Sequence, residues 1–224
     1  MESKYSKFLT ILLIIIIVAI IILLGYLGYS SLKSSKIDQE ASEFVQTFTT
    51  DTSEENSNST TKENVIVDGN IEVEDISSTG SSSTSKKKQY KGFNVLGTIE
   101  IPKNNVSYPI LERPSAKALE VAVAALYPKN AVLNSKGNVV IIGHNYRNGK
   151  FFSNNKKLSN GDKIYITDLD NNKVTYIIYK IFETSENDTD FYNRDTNGAR
   201  EITLSTCTDD ATKRTIIFAK AQGD

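Results

Sequence analysis

Three side chains in the C-terminal half of the chain have the types needed for covalent acyl transfer. Cys207 is the only cysteine among the 224 residues, His144 is the only histidine, and Arg214 follows the cysteine by seven residues. An imidazole can take the proton of a thiol and later return one to a leaving amine. A guanidinium stays protonated and can stabilise the charge that develops on a carbonyl oxygen under attack. These three groups suffice for acyl transfer without a metal or a cofactor.

A lone thiol also has roles other than catalysis. One cysteine cannot form an intramolecular disulfide, and a zinc site of four cysteines, or of paired cysteines and histidines, is excluded. Cys207 is therefore a buried apolar filler, a reactive group or an intermolecular linker. Its surroundings in the sequence have to decide between these roles.

Both candidate catalytic side chains stand where a predicted strand ends and a polar loop begins. Cys207 follows the strand predicted at residues 202–206, and His144 follows the one predicted at residues 139–143. Arg214 begins the next strand, which a short loop allows to lie antiparallel beside the strand that ends at Cys207. We expect the three polar groups to gather at one rim of one sheet.

Short β-rich runs separated by turn residues recur through residues 89–224, a length that suits one domain. The predicted strands are 95–101, 106–111, 138–143, 163–167, 173–182, 201–206 and 214–221. Residues 116–126 have apolar side chains at helical spacing and are predicted to form a helix that Pro128 stops. Many strands with one or two short helices predict a mainly β fold, a closed antiparallel β-barrel, which leaves no exposed strand edge.

The N-terminus reads as a membrane anchor. Residues 8–24 contain no charge, and apolar residues continue to Tyr29, which gives roughly the 20 residues that span a bilayer. A cleavable signal peptide is the alternative, but its apolar region is usually shorter and no small-x-small cleavage site follows Leu24. We predict that residues 1–29 are a cytoplasmic stub and an uncleaved signal anchor in the cell membrane. The catalytic domain is then extracellular.

Residues 30–88 are dominated by Ser, Thr, Asn, Asp and Glu. Such a composition buries too little apolar area to offset the entropy of ordering, so we predict a flexible polar stalk. The net charge of the chain is −1 and its one basic cluster is at residues 86–88, so no nucleic-acid partner is expected. The acidic residues between positions 183 and 190 could be calcium ligands, but no full ligand set is legible and a solvated loop is the better interpretation. We expect no cofactor and no metal.

The motifs around these residues resemble those of the sortase family. Thr203-Leu-Ser-Thr-Cys207 followed by Arg214 is similar to the TLxTC…R signature, and residues 138–144 (NVVIIGH) are similar to the histidine strand. Residues 97–102 and 108–111 resemble the opening strands of the sortase barrel, so the resemblance covers essentially all of residues 89–224. The order of anchor, stalk and catalytic domain is also that of the family.

The resemblance implies a role for each candidate residue. Cys207 would be the nucleophile, His144 the general acid/base and Arg214 the group that stabilises the oxyanion or the substrate. Sortases cleave an LPxTG-like sorting signal near the C-terminus of a secreted protein and pass the thioester to an amine of a cell-wall precursor or a pilin. A Gram-positive bacterial source also follows from the resemblance. The short stretch at residues 183–200 is class D-like, whereas residues 144–149 and 203–208 are class B-like.

Two other functions fit the same residues. A thiol hydrolase would use the same groups with water as the acceptor. A membrane-tethered β-barrel that binds a partner without catalysis would have Cys207 merely packed.

Overall fold

A long helix and a β-barrel make up the described residues, 4–50 and 88–224, of this computed structural model. The start of the predicted cytoplasmic stub, residues 1–3, and residues 51–87 of the predicted stalk lie outside the described residues. The helices are α1 (Lys4–Thr50) and α2 (Ala116–Leu119). The strands are β1 (Gln89–Tyr90), β2 (Phe93–Ile101), β3 (Val106–Leu111), β4 (Val123–Tyr127), β5 (Gly137–Ile142), β6 (Lys163–Asp168), β7 (Lys173–Ser185), β8 (Arg200–Cys207) and β9 (Lys213–Ala221).

Strands β2 to β9 close into the predicted barrel. The strand order is β1-β2-β3-β4-β5-β8-β9-β7-β6, and β2 also pairs with β6. The prediction of a mainly β, closed barrel is therefore confirmed. Two pairings, β3–β4 and β5–β8, are parallel, so the barrel is not purely antiparallel. Parallel neighbours need a crossover connection. The segment that contains α2 connects β3 to β4, and the β6–β7 hairpin lies between β5 and β8 in the chain.

The helix predicted over residues 116–126 is wrong beyond Leu119. Residues Val123–Tyr127 form β4, which pairs with β3 through Ile110 and with β5 through Ile142. The apolar spacing fits a helix, but this segment is buried between two strands, and tertiary pairing outweighs local propensity.

Helix α1 is longer than the predicted anchor. Its segment Phe8–Leu27 is apolar and long enough to cross a membrane. The helix then continues to Thr50 through the first part of the predicted stalk, which is therefore helical. Its apolar side chains at helical spacing pack against the barrel: Ile37, Ala41, Phe44, Val45 and Phe48. Burying Phe48 alone stabilises this contact by about 1.5–3 kcal/mol.

Phe48 near the end of α1 and Lys88 just before β1 are in direct contact. Lys88 Nζ donates a hydrogen bond to the carbonyl oxygen of Phe48 at 3.4 Å and lies 4.3 Å from the centroid of the Phe48 ring. The C-terminal end of α1 therefore lies against the start of the barrel domain.

Candidate active site

Cys207 and Arg214 lie directly opposite each other on neighbouring strands. The antiparallel register of β8 and β9 pairs these two residues at the last position of the ladder. The turn between them is held by Thr208, whose N–H donates to Lys213 O at 3.0 Å and whose hydroxyl donates to Asp210 Oδ1 at 2.6 Å. Directly opposite residues of an antiparallel pair project from the same face, so the hairpin brings thiol and guanidinium together.

His144 reaches the same rim from the other side of β8. Strands β5 and β8 are parallel with Ile142 opposite Ser205. The chain stays aligned beyond the ladder, because the Thr206 hydroxyl donates to Gly143 O at 2.7 Å and Gly143 N–H donates to Ser205 O at 3.3 Å. His144 follows Gly143 and Cys207 follows Thr206. The histidine and the cysteine therefore lie at the same level on the two neighbouring strands.

One cavity of about 280 Å³ contains all three predicted site residues in its lining, namely Cys207, His144 and Arg214. The expected gathering at one rim is therefore found in the structure. The cavity wall is completed by side chains from α2, β4 and the β7–β8 connection, including Leu119, Leu126, Glu186, Phe191 and Tyr192. An apolar wall beside three polar groups suits an extended peptide with one reactive carbonyl.

The His144 ring is half-buried and stacks on Tyr146, with ring centroids 4.6 Å apart and an interplanar angle of 30°. Burial lowers the pKa of His144 below its ordinary value of 6.5, and the negative charge of Glu120 opposes this shift. Because the net shift is downward, the imidazole is mostly neutral at pH 7. A neutral imidazole can accept the proton of a thiol.

Arg214 is held near acidic and aromatic neighbours of the β7–β8 connection. Its Nη2 lies 3.7 Å from Glu186 Oε2, and its Nη1 donates to Lys213 O at 3.3 Å. The side chain is partly exposed, so its remaining donors can reach a carbonyl oxygen bound in the cavity. The arrangement can therefore stabilise an oxyanion beside Cys207.

A second cavity, of about 330 Å³, opens on another side of the partly exposed cysteine. Its lining includes Asn145, Ser153, Thr208 and Asp209 together with Cys207. Asn145 connects its two walls, since Nδ2 donates both to Cys207 O and to Asp209 Oδ1 at 3.0 Å. Cys207 therefore lines both cavities.

Sequence reasoning missed a buried polar network that fixes the β7–β8 connection to the barrel. Arg194 forms an ion pair with Glu201, and its Nη2 donates to Asn138 Oδ1 at 3.2 Å. Asn138 Nδ2 donates to Phe191 O and Tyr192 O, each at 3.0 Å, which holds two cavity-lining residues in place. Asn138 is 53 to 56 residues from its partners in the β7–β8 connection, so no local motif signals the network.

Metal ligation is not evident in the part of the chain that the structure describes. Within residues 4–50 and 88–224, no group of three or more His, Cys, Asp or Glu side chains is arranged to hold an ion. Two of the acidic residues considered for calcium have other partners, since Asp188 accepts from the Thr184 hydroxyl and Glu183 lies 3.8 Å from Lys213 Nζ. The expectation that no cofactor is needed stays a prediction.

Replacing Gly143 with alanine is expected to destabilise the fold and to displace His144. A Cβ atom here would lie 2.9 Å from Phe152 Cδ2 and from Val123 Cγ1, both in fully buried side chains. Overpacking of this kind costs about 1–3 kcal/mol. Urea unfolding of the full chain in detergent micelles measures the loss. An unchanged unfolding midpoint would contradict the close packing seen here.

Comparisons with known proteins agree with this geometry. The family model for the sortase domain matches residues 99–222. Sortase A of Bacillus anthracis is 31% identical over 156 residues, which cover 68% of this chain and 69% of that protein. Sortase A of Streptococcus agalactiae serotype III is 30% identical over 159 residues, covering 66% and 63% of the two chains. The solved structure of a Clostridium perfringens Sortase D5 transpeptidase is 35% identical, with a TM-score of 0.52 over 58% of this chain and 79% of that one.

The family match extends over more than half of the chain and contains all three residues of the cavity rim. The relative from Bacillus anthracis is matched over more than two thirds of its own length. The chain belongs to the sortase family of cysteine transpeptidases.

Proposed function

We propose that Cys207, His144 and Arg214 carry out the transpeptidation. The observation that carries the proposal is that these three side chains line one cavity at the barrel rim. The Cys207 sulfur attacks the carbonyl carbon of the scissile peptide bond while His144 takes the thiol proton. The C–N bond then breaks, and His144 gives its proton to the leaving amine, which leaves a thioester on Cys207.

An acceptor amine completes the reaction. The amine nitrogen attacks the thioester carbonyl, His144 takes its proton, and the C–S bond breaks to regenerate the thiol. Arg214 donates hydrogen bonds to the carbonyl oxygen when it carries negative charge in either half of the reaction. We assign the acceptor amine to the second cavity, because Cys207 is also part of its lining.

The substrates we propose are secreted proteins with an LPxTG-like sorting signal, and the acceptor is the amine of a cell-wall precursor or a pilin. We propose that the N-terminus of α1 is in the cytoplasm and the barrel is outside the cell. About eleven residues separate Leu27 at the end of the apolar span from Asp38 at the barrel, or roughly 16 Å of helix. A barrel attached this near the end of the apolar span suits substrates that are themselves membrane-anchored before cleavage.

We place the chain in class D rather than class B. The β7–β8 connection is short and carries no helix among the described residues, in agreement with the class D-like interpretation of residues 183–200. The similarity to a Clostridium perfringens Sortase D5 transpeptidase at 35% identity supports the same assignment.

A panel of sorting-signal peptides tests the function and identifies the motif together. The full chain in detergent micelles is incubated with each peptide, with and without triglycine, and products are identified by mass spectrometry. We expect at least one LPxTG-like peptide to be cleaved and ligated to triglycine in proportion to the amine concentration. Hydrolysis alone at every amine concentration would overturn transpeptidation in favour of a thiol hydrolase. No reaction with any peptide would favour the non-catalytic barrel.

A further inference from the structure

The juxtamembrane part of α1 has polar contacts with the barrel as well as apolar ones. Asp38 accepts a hydrogen bond from the Tyr108 hydroxyl at 2.5 Å, and its other carboxylate oxygen lies 3.0 Å from Lys150 Nζ. Tyr108 is on β3, and Lys150 is on the loop of residues 145–151 that follows His144. The Lys150 side chain is only 12% exposed, so this pair is shielded from solvent on the barrel side.

A continuous series of aromatic contacts leads from Tyr108 to the catalytic histidine. The Tyr108 hydroxyl accepts from Phe151 N–H at 3.3 Å, and the two rings stack with centroids 4.9 Å apart. Phe151 meets Tyr146 edge-on at 5.8 Å, and Tyr146 stacks on His144 at 4.6 Å. Each contact is direct, so the position of Phe151 constrains the position of the imidazole.

The loop 145–151 needs such support because parts of its backbone are strained. Arg147 and Phe151 have φ angles of 58° and 49°, in the left-handed region that non-glycine residues rarely adopt. Phe151 is bulky and almost fully buried, and such a backbone conformation is unfavourable, so it persists only where surrounding contacts enforce it. The hydrogen bond from Phe151 N–H to the Tyr108 hydroxyl is one such contact.

We propose that Asp38, on the membrane-anchored helix, is a positioning residue for His144. It fixes the Tyr108 hydroxyl and Lys150, and through them it holds the loop 145–151 and the stack of Tyr146 on the imidazole. The inference rests on the proposed catalytic role of His144. It gives α1 a part in catalysis in addition to membrane attachment.

Removing the Asp38 carboxylate leaves two shielded groups without this partner. The Lys150 ammonium loses its ion pair and the Tyr108 hydroxyl loses its acceptor, which costs more than losing a surface salt bridge does. We expect Asp38→Ala to lower kcat by about three- to tenfold through misplacement of His144, with KM for the sorting peptide nearly unchanged. Asp38→Asn keeps an acceptor for Tyr108 and should recover part of the loss.

Glu40→Gln is the matched control. Glu40 is on the same helix and forms an ion pair with Lys91, in the turn between β1 and β2 and not in the histidine loop. This variant weakens the attachment of α1 to the barrel without touching Asp38. All variants are prepared as full chains in detergent micelles, and kcat and KM are measured with a sorting peptide and triglycine.

The second readout is NMR titration of the imidazole, which gives a single set of signals because the chain has one histidine. The ring of Tyr146 stacks on His144, and the charge of Glu120 acts on it from the end of α2. The other titratable or charged residues of the cavity are Cys207 from β8, Arg214 from β9, and Glu186, Asp188 and Tyr192 from the β7–β8 connection. Loosening of the stack exposes the ring, so the His144 pKa should rise toward 6.5 in Asp38→Ala. Loss of a negative charge alone would lower this pKa, so the direction separates positioning from electrostatics.

We expect Asp38→Ala to show both the raised pKa and the reduced kcat, and Glu40→Gln to show neither. Equal behaviour of the two variants, or a His144 pKa that is unchanged in Asp38→Ala, would overturn the inference. The titration does not depend on catalysis, so it tests whether Asp38 holds the loop 145–151 even if His144→Ala proves fully active. Full activity of His144→Ala would reject the proposed catalytic role of His144, but it would not reject the contact path from Asp38 to the imidazole.

Discussion

Cys207→Ala is expected to abolish both cleavage of the sorting peptide and its ligation to triglycine. The substitution removes the only thiol of the chain, so no thioester can form. Loss of the nucleophile in an acyl-transfer enzyme typically lowers kcat by about 10⁴-fold or more. Initial rates of ligation, followed by chromatography of the peptide products, measure the effect.

The fold should tolerate this change, because Cys207 is partly exposed at the last position of β8 and its backbone contacts do not involve the sulfur. Thermal unfolding of the variant should therefore resemble that of the parent. Lys163→Ala serves as the surface control, since this exposed lysine begins β6 and lines neither of the two cavities. A Cys207→Ala chain that ligates at the parental rate would show that another group is the nucleophile.

His144→Ala is expected to lower kcat by about 10²- to 10⁴-fold, the usual contribution of general acid/base catalysis. The parent should also show a characteristic pH dependence. Burial holds the pKa of His144 below 6.5, so the neutral imidazole that accepts the thiol proton persists to below that pH. In the parent, kcat/KM should therefore decrease with falling pH around a midpoint that lies below pH 6.5. This decrease should be absent from the residual activity of His144→Ala.

Rates measured from pH 5 to pH 8 with saturating triglycine test this prediction. An acid limb at or above pH 6.5, or the same limb in His144→Ala, would contradict the assignment of His144 as the base. Alkylation of Cys207 in the folded variant provides the control, because it shows that the thiol is still present and accessible.

The gathering of the three candidate residues could be predicted from the sequence because their positions depend on strand ends. Cys207 and His144 each follow a run of strand-forming residues, and Arg214 begins the next strand after a short turn. Once the barrel closes, the registers of β5–β8 and β8–β9 bring these ends to one rim. The strand pattern and the short hairpin were therefore enough to predict that the three side chains lie together.

The surroundings of the site depend on distant partners, which local patterns do not reveal. Asp38 and Tyr108 are 70 residues apart in sequence. The apolar residues that pack α1 on the barrel are interspersed in a segment whose composition is mostly polar. The apolar residues of β4 fit a helix equally well until pairing with β3 and β5 decides the outcome. In each case a tertiary contact overrides the local signal.

Mass spectrometry of the intact full chain, quenched with acid during reaction with a sorting peptide in the absence of an amine, detects the acyl-enzyme itself. We expect an adduct with the mass of the peptide's acyl portion, located on Cys207 by proteolytic mapping, and its discharge to ligated product when triglycine is added. Continued cleavage with no adduct on Cys207, or an adduct on a different residue, would contradict catalysis through a Cys207 thioester.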